Sequence, residues 1–294
     1  MRRSSEKFNR AVQKLLDQHD FGSIEATNNW LQSLIEGKTI DDIVKMAGLE
    51  DDPYELSQDL FEQAMSAKDY EEKIELLTEA MLLDPANIDV KIELILETSF
   101  TERKTIRELN RLAREAESQF GEDFFQENEG HFWGVLETRP YMRAREALAY
   151  RLYGCGRTQE AIDEYKGMLR LNPNDNQGVR EYLLAIYLEE GMIDEARQLL
   201  DRYKETTFAV YNYGKVLEAW LSDELKQAEE LLKFAMSKNP HLPKYIFHIE
   251  EPEDWHPAGY SPGKPSEAVH ALEILGSAIL EHPEFMGWMS RFVE

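Results

Sequence analysis

The chain has 294 residues, of which 42% are hydrophobic and 31% charged, so it holds enough apolar material for a core. Its 57 Asp and Glu against 33 Lys and Arg leave a formal net charge of −24, which argues against general binding to nucleic-acid phosphates. The single cysteine, Cys155, excludes an intrachain disulfide and a cysteine-based zinc site.

The chain opens with MRRSSEKFNRAVQKLL, which is basic but lacks the apolar run of a signal peptide. No stretch approaches the roughly 18 apolar residues of a membrane span, so a soluble, cytoplasmic protein away from membranes is expected. Residues 1–50 predict two or three short helices forming an N-terminal cap. Within them, Thr39 is placed as a helix N-cap and Gly48 as a helix end. From residue 54 onward, apolar residues recur three and four apart through 54–83, 102–119, 142–170 and 176–203, which predicts helices and no strands. Residues 51–120 are expected to hold two divergent helical repeats, at 54–87 and 88–120. Lys73 stands in the first of these where a small residue is wanted.

Residues 121–138, GEDFFQENEGHFWGVLET, read as an aromatic-rich insertion, extending to 141 at the domain level; long insertions of this kind are often functional. Residues 142–242 carry the clearest periodicity, with repeats at 142–175, 176–208 and 209–242. The frames Gly156-Arg-Thr-Gln-Glu-Ala161 and Gly191-Met-Ile-Asp-Glu-Ala196 match, and Ala161 and Ala196 lie 35 residues apart. Small residues at 161, 196 and 228 let paired helices approach closely, and Tyr165, Leu200 and Leu232 fill the space one turn on. Residues 243–294 begin with a Pro- and Gly-rich stretch and end with helices at about 266–280 and 284–293, a C-terminal cap.

Charge is spread unevenly. Residues 51–136 carry net −14, whereas residues 137–180 carry net +2. Most cations of that second segment are arginines, the side chain suited to bidentate contacts with carboxylates.

Two helices per unit at a period near 34 residues resemble the tetratricopeptide repeat. The strings GHFWGVLETRPYMRAR (130–145), LRLNPNDNQGVR (169–180) and KNPHLPKYIF (238–247) narrow the likeness. They resemble bacterial tetratricopeptide proteins similar to the suppressor-of-tumorigenicity protein family. The resemblance implies an all-α helical-repeat solenoid with helical N- and C-terminal caps, and a protein or peptide partner. It supplies no reaction. Some relatives carry a C-terminal Cys-rich metal motif, which a chain with Cys155 alone lacks.

By the same resemblance, the first helix of each repeat lines a concave groove. The implied peptide-binding residues are Arg143, Glu146, Tyr150 and Tyr153, then Arg180 and Tyr187, then Tyr213 and Trp220. Aromatics with arginines suit an extended segment carrying apolar and acidic residues. Tyr150 and Leu184 stand where a carboxylate clamp wants polar side chains, so a receptor for chaperone tails is disfavoured.

Catalytic signatures are sparse. There is no GxGxxG, Walker loop or nucleophile elbow. Glu253-x-x-His256 and Glu267-x-x-His270 have a spacing that can ligate metal on a helix, but that chemistry needs further carboxylates from other helices. Cys155 lies between glycines with no evident histidine partner, and His131 is read as packed or capping. No catalytic residue, metal or cofactor is assigned. The rival readings are an enzyme or metalloprotein with a site in 121–138 and the tail, and a homo-oligomeric structural protein. Oligomeric state and partner identity are not specified by these residues.

Overall fold

The computed structural model describes residues 2–252 and 259–293. Among them are sixteen α-helices, three short 3-10 helices and no strand. The chain divides into two compact units, Met1–Arg157 and Thr158–Glu294, so the helices flanking Arg157 belong to different units.

The first unit starts with α1 (Arg2–Leu16), α2 (Ile24–Ile35) and α3 (Ile40–Met46). Ala11, Leu15, Leu34, Ile43 and Val44 bury together, with Phe8 and Trp30 against them. Thr39 starts α3 through a capping box. Its hydroxyl accepts from the Asp42 backbone, and the Asp42 carboxylate accepts from the Thr39 N–H. Two antiparallel pairs follow: α4 (Pro53–Ser66) with α5 (Tyr70–Leu83), and α6 (Ile88–Thr98) with α7 (Glu102–Asn128). The side chains of Asp52, Asp69, Asn87 and Thr101 accept backbone N–H bonds in the first turns, so every one of these four helices is capped. Ala64 and Ala80 are fully buried. These small side chains serve the α4–α5 contact. Lys73 on α5 instead reaches α6, where its ammonium pairs with Glu93 at 2.6 Å and with Glu97.

Residues 121–138 are not an open loop. α7 runs through Gly121, whose φ of +75° breaks the helical backbone, and two 3-10 turns lead into α8 (Arg139–Gly154). Phe120, Phe124, Phe125, Phe132 and Tyr141 form one aromatic cluster, with ring centroids 4.9–6.5 Å apart. The segment joins α7 to α8 and buries Phe132 and Thr138, while much of it stays exposed.

The second unit holds α9 (Thr158–Leu171), α10 (Val179–Glu189), α11 (Ile193–Arg202), α12 (Ala209–Leu221) and α13 (Leu225–Lys238). Then come the short α14 (His241–Ile246), α15 (Pro265–Leu280) and α16 (Pro283–Met289). Ala161, Ala196 and Ala228 are each fully buried, one per second helix. Asp175 starts α10 from a left-handed conformation (φ +50°), and its carboxylate accepts from the N–H groups of Gly178, Val179 and Arg180 at 2.9–3.1 Å.

Candidate functional site: helix faces and what covers them

In the first unit, α1 makes charged contacts with α4 and α8. Arg10 Nε donates to Glu55 on α4 at 2.6 Å, and Lys7 Nζ donates to Asp59 at 2.8 Å. Glu6 accepts from Arg139 at 3.2 Å and from Arg143 at 3.1 Å, both on α8. Arg143 also donates to both oxygens of Asp89 on α6, at 2.6 and 2.7 Å. Gln58 extends the network, donating to Asp89 at 3.1 Å and to Asn87 at 3.3 Å. Burial works against the charge on Arg143, but Asp89 and then Glu6 raise its pKa on balance. Arg143 is thus the centre of an internal ion network and not a free groove residue.

The other α8 residues differ. Tyr150 is 58% exposed, whereas Glu146 and Tyr153 are half-buried. At positions i, i+4 and i+7 the three share one helical face.

In the second unit, α15 lies across α10 and α12. Ala268, Ala271, Leu275 and Ala278 are fully buried in it. Glu267 fixes its start. Its carboxylate accepts from the Ala209 backbone at 2.9 Å, from Asn239 Nδ2 at 2.9 Å and from the Gly263 backbone at 2.7 Å. His270 Nε2 lies 2.7 Å from the Glu181 carboxylate on α10. Four of the implied groove residues lie in this unit, Tyr187 and Tyr213 buried and Arg180 and Trp220 half-buried. Arg180 lies over the rings of Tyr203 and Tyr211, 4.7 and 5.4 Å from their centroids. Tyr187 is buried. Tyr213 is buried and donates to the Asn239 carbonyl at 2.6 Å. Trp220 packs edge-on against Phe285, with centroids 5.5 Å apart. Burial, with the Glu267 charge second, pushes the Tyr213 hydroxyl pKa far up. Burial does the same to Tyr211, whose hydroxyl has no hydrogen-bond partner among the described residues.

The groove expected from first helices is thus largely filled by the chain itself. Nothing in the spacing of the first helices signals this, because the partners come from elsewhere in the chain: Glu6 for Arg143, Tyr203 for Arg180, Asn239 for Tyr213 and Phe285 for Trp220.

The candidate ligand pairs are also placed. Glu267 and His270 each have a different partner and do not converge. Glu253 and His256 lie outside the described residues. Cys155 is exposed, with its Sγ 3.9 Å from Glu102. His131, read as packed or capping, is exposed at the start of the 3-10 turn Phe132–Gly134 and makes no side-chain cap bond there. Among the described residues, no three His, Cys, Asp or Glu side chains gather as a metal site, and no helix is long and apolar enough to cross a membrane.

A tetratricopeptide repeat family model matches residues 152–209, from the end of α8 to the start of α12. No curated protein matches the chain. The fold is an all-α helical repeat, and residues 152–209 are similar to the tetratricopeptide repeat, whose stacked helix pairs generally present surfaces to protein partners.

Proposed function

We propose that the protein is a protein-binding adaptor that recognises an extended segment of its partner, and that the face of α8 carrying Glu146, Tyr150 and Tyr153 contacts that segment. The observation that supports it most is Tyr150, a large aromatic 58% exposed on the first helix of a repeat. An exposed tyrosine supplies contact area at low entropic cost and a hydroxyl for hydrogen bonding. In this reading Arg143, Arg180, Tyr187, Tyr213 and Trp220 shape the surface from within instead of touching the ligand. Kinship to the bacterial relatives of the suppressor-of-tumorigenicity family remains part of the proposal, and is consistent with binding in place of catalysis.

The test places a photoreactive benzoylphenylalanine at position 150 of the full chain. The crosslinked partner segment is then synthesised and titrated against the wild type and Tyr150→Ala. The expected result is a saturable protein crosslink and about a tenfold loss of affinity in the variant. Unchanged affinity, or no crosslink above background, overturns the assignment of this face.

A further inference from the structure

We propose that the exposed face of α7 is a docking groove for an acidic, extended segment of a partner protein. A groove of about 910 Å³ runs along this helix within the first unit. Its lining includes Arg103, Lys104, Arg107, Arg111, Arg114 and Arg157, with Glu115 as the one carboxylate. That concentration is unusual for this chain. Residues 51–136 hold only 8 Lys and Arg against 22 Asp and Glu, yet five of those cations fall between 103 and 114, where Glu108 is the sole acid.

The helix turns these cations outward for a simple reason. Ile106, Leu109, Leu112, Ala113 and Ala116 are buried and fix the inner face. Residues 103, 107, 111 and 114 then point away from it, and all four arginines are exposed. Local carboxylates satisfy only part of the charge. Glu108 pairs with Arg107 at 3.0 Å and with Arg111 at 2.8 Å. Arg103 and Arg114 have no carboxylate within ion-pair distance among the described residues, and Lys104 lies 6.0 Å from the Phe100 ring centroid. Phe100 is 96% exposed beside this end of the groove.

Geometry narrows the ligand. From 103 to 114 the helix rises about 16 Å, the length of roughly five extended residues. Arginines four apart are separated along the axis by about 6 Å. Alternate residues of an extended peptide are separated by about 6.6 Å and point to one side. A segment with Asp or Glu at every second position therefore brings successive carboxylates over Arg103, Arg107 and Arg111, and a flanking apolar residue reaches Phe100. A peptide fits better than a nucleic acid. Only a short acidic run must lie in the groove, whereas a polyphosphate continues into surroundings that carry net −14 over residues 51–136. This inference rests on α7 with its neighbours Phe100 and Arg157, and stands whether or not Tyr150 touches a partner.

The experiment titrates a labelled peptide of alternating Glu and Ser against the full-length protein by fluorescence anisotropy, at about 50 mM and about 200 mM NaCl. Saturable binding that weakens with salt is expected. Arg103→Glu/Arg107→Glu/Arg114→Glu should lose at least about tenfold in affinity, and the corresponding triple Lys variant only a few-fold. Circular dichroism checks both folds, and Lys104→Glu/Arg114→Glu serves if the first variant is unstable. A peptide of the same composition with its Glu residues in one block should bind more weakly. No binding by the wild type at low salt, equal binding by the charge-reversed variant, or equal binding of the blocked peptide overturns the proposal. Tighter binding of oligouridylate with the same charge also overturns it, in favour of a nucleic-acid surface.

Discussion

Arg143 joins two carboxylates, Asp89 through both its oxygens and Glu6, which also accepts from Arg139. Asp89 is almost wholly buried, and Glu6 nearly so. Replacing Arg143 with Leu takes the bidentate cation from buried Asp89, while Glu6 keeps Arg139, so the first unit should lose about 3–5 kcal/mol in urea unfolding. A loss under about 1 kcal/mol would show that water reaches the network. Tyr213 makes a different point. Tyr213→Phe deletes the bond to Asn239 and strands a buried carbonyl, which should cost about 1–3 kcal/mol. The pH dependence has a definite sign. Below the ordinary tyrosine pKa of about 10, folded and unfolded chains both keep the proton. Above it the unfolded chain releases protons that buried Tyr211 and Tyr213 retain, so stability falls as pH rises. The fall in urea midpoint between about pH 9 and 11 should be shallower in Tyr213→Phe, and an unchanged slope would mean that Tyr213 does not contribute to it.

At the scale of elements, helix type and the small-residue frame were legible, and the occupancy of the faces was not. Ala196 and Ala228 announce the pairs α10 with α11 and α12 with α13, because close approach demands a side chain of that size. The polarity of Arg143, Arg180 and Tyr213 suggests a wet groove, yet each is satisfied or stacked internally by residues 26 to 137 positions away or by neighbouring rings. One sequence holds no local signal for such pairings. The α7 groove was legible in principle, since 103–114 is a basic run, but averaging charge over 51–136 conceals it. Two substitutions probe how α15 and α12 are seated. Glu267→Ala strands the buried Ala209 N–H and removes one of the two bonds of the Asn239 amide, so amide exchange over α15 should accelerate and the second unit should lose about 1–3 kcal/mol. At Gly214 an added Cβ lies 2.9 Å from Leu184 Cδ2, a side chain that is itself fully buried. Alanine favours helix by about 1 kcal/mol, but displacing Leu184 costs about 1–3 kcal/mol, so Gly214→Ala should lower stability or leave it near neutral. A clear gain would show that Leu184 has room to move.

Over the whole molecule, charge is the dominant unbalanced quantity. With 57 acids and 33 bases, even complete pairing leaves 24 carboxylates without a cation. Exposed ion pairs such as Lys233 with Glu229 return about 0–1 kcal/mol each and are weakened by salt. The buried pairs around Arg143 are shielded from salt by the protein itself. Repulsion among the excess carboxylates acts over the outer surface, where a Debye length of about 8 Å at physiological salt already screens most of it. Adding salt should therefore relieve more repulsion than it removes attraction. The thermal midpoint should rise by a few degrees between about 20 mM and 200 mM NaCl at neutral pH, measured by circular dichroism. The same increase should weaken an acidic peptide on α7, because that contact is an attraction between exposed charges. Opposite responses to one variable separate the local basic face from the acidic whole. A midpoint that falls with salt would mean that the ion-pair networks outweigh the repulsion, and that the excess carboxylates are spaced widely enough to be harmless.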